Sequence, residues 1–206
     1  NQTAGDKYNI AIGNAALSGV TSGSNNYAIG THAMGSTITG GHNIAFGYYS
    51  GNTIYQGGNN IGIGTRTNRY IYNSTGNVAI GFEAHASVTD NGNLKQYNVA
   101  IGQYAMRENT EGDDNVAIGS DTLTNGQTGD KNVAVGRYAL AELTSGDENV
   151  AIGYNAGYYC NGDENIAIGY NAGYYCNGSY NIIIGRGAMQ GTGAQTGQYN
   201  ICMGFQ

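Results

Sequence analysis

A five-residue unit, Asn-Val-Ala-Ile-Gly in its commonest form, recurs twelve times along this chain and constrains the fold more tightly than any other feature. It begins at Asn9, Asn26, Asn43, Asn60, Asn77, Asn98, Asn115, Asn132, Asn149, Asn165, Asn181 and Asn200. The intervals are 17, 17, 17, 17, 21, 17, 17, 17, 16, 16 and 19 residues. Three residues after the Gly comes a weaker element, usually Ala followed by Leu, Met or Gly, as in Ala16-Leu17, Ala105-Met106, Ala139-Leu140 and Ala156-Gly157. A short period with two apolar pieces and a Gly/Asx-rich return describes one coil of a solenoid, too small to bury its apolar face alone, so the coils must stack. The expected fold is therefore all-β, a parallel β-solenoid of about twelve coils. With parallel strands about 4.8 Å apart, the coils make a rod of roughly 55–60 Å.

Composition agrees. The 206 residues include 36 Gly and no Pro, and no segment shows an apolar 3.6-residue period, which argues against long helices. The chain is 40% hydrophobic, with Ile and Val on schedule, which argues against disorder. Residues 1–206 read as a single repeat domain. The last unit stops two residues past its Gly204 with no cap, so the domain is expected to be one segment of a longer fibre.

Equivalent residues of successive coils should lie above one another. The Asn side chains then form a hydrogen-bonded ladder like the amide ladders of cross-β structures, and the Gly takes a corner closed to other residues. Within a strand, Val116 and Ile118 point one way and Ala117 the other, with neither face polar. A strand apolar on both sides is normally covered on both. The expectation is that Ile and Val fill the coil and that the Ala side meets an identical chain, giving a parallel homo-oligomer. The alternative is a monomer whose Ala side is a thin solvent-facing strip.

The units with their trailing Ala resemble the head repeats of trimeric autotransporter adhesins of the YadA type. They are also similar to repeats in tail fibres of phages and related injection systems, where Gly-x-x-Asn-x-Ala-x-Gly-x-x-Ala-Leu is common; residues 129–140 fit that form closely. The resemblance covers essentially the whole chain and implies a left-handed parallel β-roll, a homotrimer, and an extracellular place on a virion or cell surface. It departs from the autotransporter unit in that Asn115 directly precedes Val116, and a 17-residue coil is slightly long for that family. The 206 residues hold no heptad stalk, neck or membrane anchor, which ranks the tail fibre first and the adhesin head second. The implied function is attachment to a host surface glycan or protein, with a purely structural shaft as the rival of another class.

The remaining residues point away from catalysis. The net charge of −6 with only eight Lys and Arg disfavours nucleic acid, and no apolar run approaches a membrane span. His32, His42 and His85 fall at three different coil positions, and no nucleophile elbow or phosphate loop is present, so no enzyme, cofactor or metal is expected. Asp6, Asp113, Asp130, Asp147 and Asp163 form a column that suits turns better than Ca²⁺, given Lys7 and Lys131 among them.

Three places stand out as possible receptor contacts. Two nearly duplicate coils should stack Tyr158 on Tyr174, Tyr159 on Tyr175 and Cys160 on Cys176. The tyrosines read either as a binding stripe or as an aromatic ladder, and the cysteines as a reduced packed pair. Arg66, Arg69, Tyr70 and Tyr72 interrupt the Ala-Leu element and put two cations beside two aromatics. Finally, the long intervals insert residues around 88–95 and 191–194, where solenoids carry recognition loops. Cys202, at the Ala position of its unit, is expected to be buried.

Overall fold

The structure, a computed structural model, describes residues 8–36, 39–87, 95–125, 128–191, 193 and 195–205. Each repeat unit forms one three-residue strand. These are β1 Ile10–Ile12, β2 Tyr27–Ile29, β3 Ile44–Phe46, β4 Ile61–Ile63, β5 Val78–Ile80 and β6 Val99–Ile101. They continue as β7 Val116–Ile118, β8 Val133–Val135, β9 Val150–Ile152, β10 Ile166–Ile168, β11 Ile182–Ile184 and β12 Ile201–Met203. The strands form one parallel sheet in chain order, β1 to β12, and the described residues contain no helix. Each strand marks one rung of a parallel β-solenoid. Register is strict: Val116 sits on Val133, Ala117 on Ala134 and Ile118 on Val135. The 21-residue interval leaves it intact, with Val78 on Val99.

The strands are short because both ends are fixed by left-handed backbone. Before Asn115 stands Asp114 at φ 56°, and after Ile118 stands Gly119 at φ 138°. A Cβ on Gly119 would lie 2.7 Å from the Gly136 carbonyl carbon, so both conformation and close approach demand Gly. A second glycine column, three residues before nine of the twelve Asn, is tighter still: a Cβ on Gly129 would lie 2.2 Å from the Gly146 carbonyl oxygen.

Asn side chains join the rungs. The Asn132 Oδ1 accepts the backbone N–H of Asn149 at 2.9 Å and its Nδ2–H at 3.1 Å. Toward the same following rung, Asn132 Nδ2 donates to the Gly146 carbonyl at 2.8 Å. The same backbone staple links Asn9 to Asn26, Asn43 to Asn60, Asn98 to Asn115 and Asn181 to Asn200. From Asn26 through Asn181 these amides are buried, so each bond replaces one that water cannot supply. The Asp column runs with opposite polarity: Asp113, Asp130 and Asp147 donate their backbone N–H groups to the Oδ1 of Asp130, Asp147 and Asp163. Burial, opposed by the hydrogen bond from Gln96 and reinforced by Asp130 and Asp114, pushes the Asp113 carboxyl up.

The second apolar piece is not a strand. Ala139 and Leu140 are both buried although they are adjacent, which a period of two forbids. Tyr138 and Leu140 are both left-handed, at φ 61° and 48°. Their N–H groups reach in opposite directions, Tyr138 to Ser120 on the rung below and Leu140 to Ala156 on the rung above. This places two successive side chains inside a narrow coil.

That narrowness reverses the expected sides of the strand. Ala28, Ala45, Ala79, Ala100, Ala117, Ala134 and Ala151 are fully buried inside the coil, the first two packed with Met34 and the rest with Met106, Leu123, Leu140 and Leu143, while the flanking Ile and Val point outward. The Ala side needs no second chain, since the opposite wall comes too close for anything larger. Ile183 shows why: it replaces Ala at the inner place of β11 and is buried because Gly173 leaves room, a Cβ there lying 2.9 Å from Ile183 Cδ1. Gly51 with Ile54 and Gly157 with Leu140 trade volume in the same way along the wall.

Two substitutions separate these contributions. Asn132→Ala leaves the Asn149 N–H and the Gly146 carbonyl unpaired and is expected to lower stability in urea denaturation by about 2–5 kcal/mol. Gly119→Ala should lower it by about 2–4 kcal/mol through φ and contact together. Loss of less than about 0.5 kcal/mol from either would contradict the ladder geometry.

Candidate functional site

The outward face of the sheet runs the length of the stack, from β1 to β12. The two outward places of every strand hold Ile, Val, Phe or Met, with Tyr27 the one departure. The first place is mostly half-buried, whereas Ile29, Phe46, Ile63, Ile80, Ile118, Ile152 and Ile184 are 36–40% exposed. No charged side chain interrupts the two columns. Tyr48, Phe82, Tyr154 and Tyr170 extend them past the corner Gly.

The duplicate coils stack as their spacing dictates. Tyr158 lies on Tyr174 with centroids 5.1 Å apart and planes 5° from parallel, and Tyr159 lies on Tyr175 at 5.2 Å and 2°. Edge contacts at 4.7 Å join Tyr158 to Tyr159 and Tyr174 to Tyr175. The four ring faces thus largely serve one another, and what the cluster offers outward is mainly edges and hydroxyls. Burial and the nearby Glu142 push the Tyr158 phenol up to about 12, and its hydroxyl donates to Glu142 Oε1 at 3.4 Å. Tyr154 and Tyr170 form a further stack at 5.3 Å. Inside the coil, Cys160 and Cys176 are buried free thiols. Their mutual hydrogen bond and burial push the Cys160 thiol well up, which keeps it from acting as a thiolate. Cys202 is half-buried.

The Arg66–Tyr72 segment does not form one patch. Tyr72 turns away and stacks on Tyr55 at 5.2 Å, beside Ser36 and Thr53. Arg66 Nη1 donates to Glu83 Oε1 at 3.0 Å, and Arg107 Nε lies 3.1 Å from Glu83 Oε2. Arg69 lays its guanidinium over the Tyr70 ring at 4.7 Å. Arg69, Tyr70, Glu83, Ala86, Ser87 and Arg107 line a cleft of about 160 Å³. Arg107 and Glu83 were not singled out by sequence, although both stand on the same side of neighbouring rungs. The inserted residues 88–94, and Thr192 and Ala194 of the second insertion, lie outside the described residues, as do Asp6 and Lys7.

The coil interior carries one polar run. Ser50 Oγ and Thr67 Oγ1 are 2.7 Å apart beneath Gly62, and a Cβ at Gly62 would lie 2.8 Å from that Ser50 oxygen. Farther along, Asn68 Oδ1 is 3.0 Å from Nδ1 of the fully buried His85. His32 instead stacks on Tyr49 and His42 meets Asn25, so the three imidazoles stay apart. Among the described residues no three His, Cys, Asp or Glu side chains are placed to hold a metal ion. No helix of the described residues is long and apolar enough to cross a membrane.

Comparison with known proteins gives no matching family model, no matching curated protein and no matching solved structure.

Burial, followed by the charge of Lys95, lowers the His85 pKa to about 3. The unfolded imidazole takes up a proton near pH 6.5 and the folded one does not. Stability from this group is therefore whole above pH 6.5 and is lost as pH falls from there toward 3, by up to about 1.4 kcal/mol per pH unit. His85→Asn should flatten the urea-derived stability profile over that window; an unchanged slope would show that His85 titrates normally.

Proposed function

We propose that this chain is a non-catalytic fibre segment that acts outside the cell, in a phage or injection-system tail fibre that attaches to a host surface. In this reading its left-handed rolls associate as a parallel homotrimer through the outward faces of β1–β12. The observation that carries the reading is the apolar outward face, mostly Ile and Val and free of charged side chains, along a twelve-rung solenoid.

Parallel sheets are normally covered on both faces, and here the coil itself covers only one. Eleven rung spacings by two side-chain columns give a strip of roughly 53 by 13 Å, about 700 Å². That approaches the ~800 Å² each partner contributes to a standard interface and exceeds what monomers usually leave bare. A second copy is the natural cover, because its outward columns repeat at the same spacing along a parallel axis. Three copies are favoured by the likeness of the repeat to trimeric β-rolls. A shaft-like role is compatible with a core packed with Ala, Leu and Met, while the loop-side aromatics and arginines supply chemistry for attachment.

Sedimentation equilibrium of the chain should give three times its 21.5 kDa mass. Ile118→Lys with Ile152→Lys should yield monomers that keep the β-sheet circular dichroism. A wild-type monomer would remove the basis of the assembly. Glycan-array binding by the trimer would favour attachment, and binding seen only with longer chains would favour a shaft.

A further inference from the structure

We propose that the cleft between Arg69 and Arg107 binds the carboxylate of an acidic sugar; the choice of a sugar rests on the attachment reading above, whereas the choice of an anion does not. The chain is acidic, with fourteen Asp and Glu against eight Lys and Arg, yet three arginines stand about Glu83, Arg66 and Arg69 on the rung before it and Arg107 on the rung after. Both oxygens of Glu83 are engaged, Oε1 by Arg66 and Oε2 by Arg107. Arg66 balances the Glu83 charge from outside the cleft, which leaves Arg107 and Arg69 as its net positive wall.

Each guanidinium is oriented before any ligand arrives. Arg107 is held by the Glu83 carboxylate 3.1 Å from its Nε, which makes no aligned hydrogen bond, and by the Tyr104 ring 5.1 Å from its central carbon; its two terminal nitrogens are left to donate. Arg69 is held over Tyr70 at 4.7 Å, and among the described residues no carboxylate pairs with it. Planar guanidinium forks match a planar carboxylate with paired hydrogen bonds, which a point-charge cation does not. Preorganisation of this kind reduces the ordering needed on binding.

The cleft suits a small ligand. Its volume of about 160 Å³ is below the roughly 300–1,000 Å³ of sites that enclose drug-sized molecules, room for one sugar ring and its carboxylate. Its walls alternate apolar Ala86 and Tyr70 with hydroxyl-bearing Ser87, the mixture a pyranose presents in return. None of these residues belongs to a strand, so the cleft stays clear of the apolar sheet face.

The test is a ligand-observed NMR titration of the full chain with glucuronic acid, N-acetylneuraminic acid, glucose, inorganic sulfate and a glutamate-containing tripeptide. Millimolar binding of one or both acidic sugars, with none of glucose, is expected, and which acid binds identifies the source of the carboxylate. Arg69→Gln and Arg107→Gln should each weaken binding by roughly ten- to a hundredfold, the range of a charge-assisted hydrogen bond. Arg69→Lys should weaken it as well, since it keeps the charge and loses the fork. Unchanged melting temperatures would show these variants to be folded, and any that is not is replaced by Arg66→Gln, expected to weaken binding by freeing Glu83 to repel the ligand. No binding of either acid at 50 mM, equal binding of sulfate, tighter binding of the tripeptide, or full retention by Arg69→Lys would overturn the proposal. Sedimentation keeps the two readings apart: a trimer that ignores both acids defeats only the cleft, and a monomer that binds them defeats only the fibre assembly.

Discussion

Everything in this fold depends on the Asn side chain that ties each rung to the next. One amide per rung accepts a backbone N–H from the following Asn and, at most rungs, donates to a carbonyl three residues before it, as Asn115 does toward Asn132 and Gly129. A three-residue strand supplies too few backbone bonds to set its own register, and a slip by one residue would turn Ala outward and Ile into a space that cannot hold it. The amide prevents that slip. It also explains the two glycine columns, since bringing the carbonyl within reach of Nδ2 draws backbone against backbone until no Cβ fits.

Much of this was legible in the sequence. Strict recurrence of Asn and Gly is what vertical stacking requires, and both the single parallel sheet and the stacking of Tyr158 on Tyr174 followed from spacing alone. The side of the strand that faces inward did not. Hydrophobicity ranks Ile and Val above Ala for a core, but the coil is thin, and volume rather than hydrophobicity selects the inner residue. The adjacent Ala139-Leu140 pair held a usable signal, because two neighbours that are both apolar in several coils, as also in Ala16-Leu17, Ala33-Met34, Ala105-Met106 and Ala188-Met189, do not suit a half-buried strand. The exchange of volume between Gly173 and Ile183 was invisible without knowing which columns meet. So was the cleft: Arg66 and Arg69 drew notice by proximity in sequence, while Glu83 and Arg107, one and two rungs on, organise the site.

The same economy divides the surface by function. A coil packed with Ala, Leu and Met has no space for a ligand inside, so any recognition must occur outside. On the strand side the columns are uniform and apolar, suited to repetition against a like surface. On the turn side the residues vary from rung to rung, and there the chain concentrates its stacked tyrosines and most of its arginines. A repetitive spine with variable turns lets chemistry change on one side without disturbing the strand stack on the other.

The central claim is that successive units share one straight stack. It is tested most directly by electron–electron distances between nitroxides at equivalent places on separated rungs, with labelled chains diluted into unlabelled ones. Pairs joining Asn25 to Asp114 and Asn25 to Glu164 span five and eight rungs, for which the ladder requires roughly 24 and 38 Å. Distances that grow in proportion to the number of rungs are the expected result. Two distances of similar length, or one that shortens as rungs are added, would mean that the units fold back on themselves and that no continuous amide ladder exists.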